Sequence, residues 1–353
     1  MHCPTLKELP LPPQGKTGWP WTQESPQLPD TMPDCFPWPR ISIVTPSYNQ
    51  GRFIEETIRS VLLQGYPNLE YVIIDGGSTD NTLEIIRKYE KWIYYWVSEK
   101  DSGQAHAVNK GFKIHSGDIC GWLNSDDVYA QEAFSSVSFT WFNSDQPSMI
   151  YGDAVSTDIT LRPYSKKVMK NYSLETMILG KSMPQPSVFF SKGLFDKIGP
   201  LDEDLFYNLD FEFFFRAWSN NYAEKFFYLP RILAYSRVYA ETKCNTGGWR
   251  RIEEKVGVLK RSWNKHLLFR HNPTKWRPVF AIAFAALARQ YLENGRPNKA
   301  LSLYVNAYRL SKKTACHMLM AIPHVIANKI LRPKPPWLMP DENRLSKNGH
   351  NSY

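Results

Sequence analysis

Two adjacent carboxylates, Asp126 and Asp127, close the segment Cys120-Gly-Trp-Leu-Asn-Ser-Asp-Asp127, whose first residues read as a buried strand. An acid pair at the carboxyl end of a strand suits a divalent cation and a diphosphate. Hard cations take oxygen ligands and need a net negative site, and open α/β sheets bind ligands at that edge. The same pair is also what a helix-capping loop before Val128 would carry, since Asp caps helices well. Asp75 stands at a similar point, after the apolar run Tyr71–Ile74, where the alternative is an Asx turn over Gly76-Gly77. Further along, Asp202-Glu-Asp-Leu-Phe-Tyr-Asn-Leu-Asp-Phe-Glu-Phe-Phe-Phe-Arg216 gathers more acids. There Glu212 precedes Arg216 by one helical turn and is spaced for an ion pair, whereas Asp210 has Phe214 at that spacing.

The elements that must position these groups alternate. Ile41–Thr45 is a strand, and Phe53–Leu63 carries an amphipathic stripe in Phe53, Ile54, Ile58, Val61 and Leu62. Strands over Tyr71–Ile74, Trp92–Val97, Ile119–Leu123 and Met149–Tyr151 are interleaved with helical patterns over Gln104–His115 and Ala133–Phe142. Asp75–Asp80 is a turn, with Ser78 or Thr79 capping the helix that follows. This order predicts an α/β fold with a mostly parallel sheet covered on both faces.

Four regions are expected. Residues 1–39 form an extended Pro/Trp-rich arm, ordered where Trp19, Trp21 and Trp38 find a surface, and residues 40–245 form the regular domain. Residues 246–331 form a helical appendage with one tetratricopeptide-like helix pair, Gly295 at its turn and Ala300 and Ala307 where helices approach; 332–353 is a disordered tail.

The net charge of +9 is compatible with nucleic acid, a membrane surface or an anionic substrate. Basic residues are dispersed, and no RNA-binding, helix-turn-helix or zinc-finger pattern occurs, so nucleic acid is not an expected partner. The five cysteines are scattered and never in Cys-x-x-Cys spacing, which indicates neither a disulfide framework nor zinc and fits a reducing cytoplasm. The amino-terminal residues lack the order of a signal peptide. The apolar runs Val279–Ala288 and Met318–Ile326 fall short of the roughly 20 residues a membrane span needs. Apolar and basic residues mix in Trp276–Arg289 and Cys316–Arg332, which allows peripheral contact with the inner face of a membrane through the C-terminal helices; packing of the same faces into a core is the alternative.

Three motifs in order, Ile43-Val-Thr-Pro-Ser-Tyr-Asn49, Val72-Ile-Ile-Asp-Gly-Gly-Ser-Thr-Asp-Asn-Thr82 and Leu123-Asn-Ser-Asp-Asp127, closely resemble the family 2 glycosyltransferases of the GT-A fold, over residues 40–240. The resemblance implies an inverting enzyme that moves a sugar from a nucleotide-diphosphate donor to a saccharide or lipid-linked acceptor. It also implies a divalent metal, Mn2+ or Mg2+, and a place in cell-surface polysaccharide or glycolipid synthesis. On it, Asp127 is the metal ligand, and Asp126 contacts the donor ribose or completes the metal shell through water. Asp75 reads the nucleotide base beside Thr45, Pro46 and Tyr48, while Asn109 and Lys110 approach the diphosphate. Gln185 and Ser187 line the acceptor pocket, and Arg237 clamps phosphate. Aligned through Tyr207 and Arg216, Asp210 is the general base, desolvated by Phe206, Phe211 and Phe213.

Three positions depart from the family pattern: His106 and Leu209 stand where relatives often carry acids, and Tyr239 where they carry His. The metal is therefore expected to rely on Asp127, donor oxygens and water. Two other classes compete, a catalytically silent GT-A scaffold and a nucleotidyltransferase. The latter usually shows a Gly-rich basic loop after its first strand, which Pro46-Ser-Tyr-Asn49 is not.

Overall fold

The computed structural model describes residues 2–220 and 225–320. Its strands are β1 (Ile41–Ser47), β2 (Leu69–Asp75), β3 (Tyr95–Ser98), β4 (Ile119–Trp122), β5 (Val128–Tyr129), β6 (Met149–Thr157), β7 (Pro163–Lys167), β8 (Val188–Ser191) and β9 (Phe226–Arg237). The helices beside them are α1 (Ile54–Leu62), α2 (Thr82–Tyr89), α3 (Gln104–Ile114), α4 (Ala133–Asn143), α5 (Leu174–Ile178), α6 (Lys192–Ile198) and α7 (Leu209–Ser219).

The strands form one sheet in the order β3-β2-β1-β4-β8-β6-β9-β5, with β7 added to β6. The half around β1 is parallel throughout: Ile41–Ser47 matches Leu69–Asp75 on one side, and Ile41–Val44 matches Ile119–Trp122 on the other. Every residue of β1 and β2 is buried, as strands covered on both faces must be. Each fully buried Ile or Val there contributes about 1.5–3 kcal/mol. Gly111 of α3 lets that helix lie close on β1, because a Cβ there would stand 2.4 Å from the Val44 side chain. The other half is mixed. β8 runs antiparallel to both β4 and β6, β5 is antiparallel to β9, and β6 is parallel to β9.

The 1–39 region lies on this core. Trp21 and Trp38 are buried, and the Trp19 indole N–H donates to the Tyr129 carbonyl at 2.8 Å. Arg59 of α1, wholly buried, donates to the carbonyls of Pro10, Pro20 and Trp21 and so ties the arm to the helix.

The chain divides into two compact units, Met1–Arg237 with Lys260–His271, and Val238–Leu259 with Asn272–Tyr353. The remaining helices are α8 (Lys243–Thr246), α9 (Gly248–Lys265), α10 (Leu267–His271), α11 (Pro273–Glu293), α12 (Pro297–Leu310) and α13 (Lys312–Met320). In the second unit α11 packs against α12 and α13; Gly295 turns between the first two with φ +67°, and Ala300 and Ala307 are fully buried. The apolar residues Val279–Ala288 are mostly buried there, which is core packing. The expected tail at 332–353 lies outside the described residues.

Candidate active site

The C-terminal ends of β1, β2 and β4 bring three of the predicted motifs to one edge. Leu123 continues β4 by donating its N–H to the Val44 carbonyl at 2.9 Å, and the chain then turns through Asn124–Asp127. Asp127 is 3% exposed. One carboxylate oxygen accepts the Arg237 backbone N–H at 3.0 Å, and the other has a long contact of 3.4 Å with the Asn124 amide. Burial, and then the Asp126 charge, push its pKa up to about 8 despite the Arg237 N–H, the Arg237 charge and the Ser236 hydroxyl.

Asp75 is treated in the opposite way. Its carboxylate accepts from Gly77 N at 3.1 Å, Ser78 N at 2.8 Å, the Ser78 hydroxyl at 2.5 Å and the Ser98 hydroxyl at 2.7 Å. Those four donors match the acceptor sites a carboxylate offers. They build the turn, in which Gly77 adopts φ +86°. Thr45 is buried and accepts the Tyr71 hydroxyl at 3.1 Å; Pro46 is buried beside it in β1, and Tyr48 is 60% exposed at the rim.

Other predicted residues face inward or sideways. Asn109 is buried and holds the segment before α7: its amide donates to Leu201 O at 3.0 Å and Glu203 at 2.8 Å, and its carbonyl accepts Leu201 N at 2.9 Å. Lys110 pairs with Glu99. Ser187 donates to Gly152 O and Pro184 O; Gln185 donates to Trp122 O at 2.5 Å, leaving its own carbonyl oxygen buried without a partner. Arg237, expected on a phosphate, is buried: its guanidinium pairs with Glu56 and donates to the Asp126 carbonyl at 2.5 Å.

Asp210 lies in the first turn of α7, where the helix dipole favours an anion. Its charge is felt by the Tyr172 phenol, which burial and then Asp210 hold well above the ordinary range. Phe211 and Phe213 are buried near it in sequence, whereas Phe206 is half exposed. Glu212 forms the bidentate pair with Arg216 that its spacing suggested, both contacts at 2.9 Å.

Two residues of the acid loop's support were not foreseen. Glu56 and Thr57 sit on α1, and Thr57 donates to Ser125 O at 3.0 Å and Asp127 O at 2.7 Å. Glu56 reads in sequence as a solvated first-turn acid, and nothing local marks it as buried.

Among the described residues no three His, Cys, Asp or Glu side chains form a ready metal cage, no helix is long and apolar enough to cross a membrane, and all five cysteines are free. The acid pair nevertheless fits a divalent cation. It offers hard oxygen donors, and Asp127 is a buried carboxylate whose charged form lacks sufficient compensation within the protein.

The family profile described as Glycosyl transferase family 2 matches residues 42–195. An uncharacterized glycosyltransferase of Mycobacterium tuberculosis (strain CDC 1551 / Oshkosh) is 30% identical over 182 residues, 51% of this chain and 69% of its own length. Among solved structures, S. aureus TarS 1-349 in complex with UDP-GlcNAc superposes with TM-score 0.54 at 15% identity, covering 82% of this chain and 92% of that one. The mannosyltransferase PcManGT from Pyrobaculum calidifontis in complex with GDP-Man and Mn2+ gives TM-score 0.50 at 19% identity, covering 85% and 90%. The sheet edge, the profile and the sequence relative agree with the three motifs: the chain belongs to family 2 of the glycosyltransferases and has the GT-A fold.

Proposed function

We propose that the protein is an inverting, metal-assisted glycosyltransferase that moves a sugar from a nucleotide-diphosphate donor to an acceptor hydroxyl, in the synthesis of a cell-surface polysaccharide or glycolipid. The observation that carries this reading is the buried Asp127 beside Asp126 at the C-terminal end of β4, on the edge shared with Thr45–Tyr48 and Asp75. The structural relatives solved with UDP-GlcNAc and with GDP-Man and Mn2+ support a nucleotide-sugar donor and a divalent cation.

A sugar–phosphate bond breaks as negative charge gathers on the departing diphosphate. Asp127, with Asp126, would hold a divalent cation, which would supply Lewis-acid stabilisation of that charge. Tyr48, exposed at the rim, offers a ring to the base, and the Asp75 turn holds the backbone of the nucleotide-binding loop. Asp210 takes the acceptor hydroxyl's proton as the oxygen attacks from the face opposite the diphosphate. Asn109 serves this step indirectly, by fixing the 201–203 segment that leads to α7. The acceptor is a saccharide or a lipid-linked acceptor. Salt-sensitive cosedimentation with anionic vesicles tests whether the C-terminal helices bring the enzyme to a membrane surface.

The inward-facing Asn109, Ser187 and Arg237 also suit a silent scaffold, so the decisive measurement is turnover. Purified protein incubated with UDP, GDP and dTDP sugars is expected to hydrolyse or transfer one of them with Mn2+ and not with chelator. No turnover with any donor, combined with intact nucleotide binding, would favour the scaffold. Asp210→Asn is expected to lower turnover by about 10²–10⁴-fold with nucleotide affinity unchanged, and full turnover would remove it from the base role.

A further inference from the structure

Glu56 lies on α1, far in sequence from the acids, yet it is 8% exposed and its two oxygens serve different parts of the chain. Oε1 accepts the Trp21 indole N–H at 2.8 Å and the Lys16 ammonium at 3.0 Å, both from the N-terminal arm. Oε2 pairs with the Arg237 guanidinium, whose side chain is completely buried. Arg237 in turn donates its guanidinium to the Asp126 carbonyl at 2.5 Å and its backbone N–H to the Asp127 carboxylate at 3.0 Å. Thr57, the next residue of α1, donates to the Asp127 carbonyl, and the Phe53 ring lies 5.0 Å from the Arg237 guanidinium. The acid loop is therefore held on one side by the first turns of α1 and on the other by the last residue of β9.

We infer that Glu56 is a positioning residue of the acid pair, acting through Arg237, and that the arm segment carrying Lys16 and Trp21 keeps it in register. The family profile begins at residue 42, so this arm lies outside the matched region. The physical basis is charge balance. A guanidinium with no exposure needs a counter-charge, and without Glu56 more of it would fall on the Asp127 carboxylate, which already feels the Arg237 charge. An Asp126–Asp127 pair that neutralises Arg237 has less charge to offer a cation. The inference rests on the reading of Asp126 and Asp127 as the cation site.

The test is Mn2+ binding by the full chain, followed by electron paramagnetic resonance with the metal alone and again with UDP. Glu56→Gln keeps the shape and the hydrogen bond to Trp21 but removes the charge. It is expected to weaken Mn2+ affinity roughly 10–100-fold, as loss of an outer support of a metal site typically does. Trp21→Phe removes one donor to Glu56 and is expected to lose about threefold, a fraction of that range; it provides the reading if Glu56→Gln does not fold. Wild-type affinity in both folded variants, with only a lowered melting midpoint, would show that Glu56 merely stabilises the fold and would overturn the inference. Absence of Mn2+ binding by the wild-type protein would overturn the cation-site reading and this inference with it.

Discussion

Asp75 and Asp127 end two stretches of the same sheet edge and are buried alike, at 0% and 3% exposure, yet their surroundings differ. The β2 turn surrounds Asp75 with four hydrogen-bond donors at 2.5–3.1 Å, all from within four residues or from the adjacent strand β3. Asp127 accepts the Arg237 N–H and the Ser236 hydroxyl from the end of β9, and the β4 loop places a second acid beside it. Satisfied carboxylates build structure, whereas a buried one left short of donors and next to another negative charge stores an affinity for a cation. The comparison separates an acid that shapes a turn from the acid proposed to hold a cation.

Removing the charge at Asp127 should have the largest effect. Asp127→Asn is expected to fold, to lose Mn2+ affinity and to reduce sugar transfer by about 10²–10³-fold, the scale of losing one electrostatic stabiliser of a transition state. Transfer assays at saturating donor, with and without Mn2+, check this. Turnover near the wild-type level would place Asp127 with Asp75 as a structural acid.

At Asp75 the change should appear first in stability. Asp75→Asn replaces acceptor capacity by an N–H2 group facing backbone N–H and hydroxyl donors, which should cost about 3 kcal/mol. A melting midpoint lower by roughly 6–12 °C is expected. Nucleotide affinity measured well below that midpoint sharpens the contrast. Unchanged affinity confines Asp75 to the turn, and a loss beyond the folding defect adds a contact to the base.

The edge itself was legible because its signals are local. The apolar runs of β1, β2 and β4 and the stripe of α1 gave those elements within a few residues, and the turn residues after them marked the C-terminal edge of the sheet. β3 was shifted: Trp92 ends a 3-10 turn, and the strand runs Tyr95–Ser98 instead of Trp92–Val97. β6 extends to Thr157, past the expected end at Tyr151, because pairing with β7 and β9 continues it across the irregular register at Gly152 and Asp153. Side-chain direction was less legible. Arg237 reads as a phosphate clamp from its neighbours in sequence, and only the fold brings it to Glu56, 181 positions away. Asn109 and Lys110 likewise meet partners that no local pattern supplies, Leu201 and Glu203 for the first and Glu99 for the second.

The smallest predicted effect is the pH dependence that Asp127 lends the metal-free protein. The folded-state pKa of Asp127 is raised to about 8 by burial and by Asp126, above an unfolded value of about 3.9. Between those values the native state binds more protons than the unfolded chain, so stability falls as pH rises through the window. The loss is complete above the folded value and absent below the ordinary carboxylate range. Counting only one pKa unit gives at least about 1.4 kcal/mol, a decline of about 3–6 °C in the melting midpoint. Asp127→Asn should lack this decline. Mn2+ should cancel it in the wild-type protein, because a bound cation favours the ionised carboxylate that burial disfavours. Melting curves of both proteins across the window, with chelator and with Mn2+, check the sign. Parallel curves for the two proteins in chelator would mean that the Asp127 charge is compensated as fully as that of Asp75, and the contrast between the two turns would disappear.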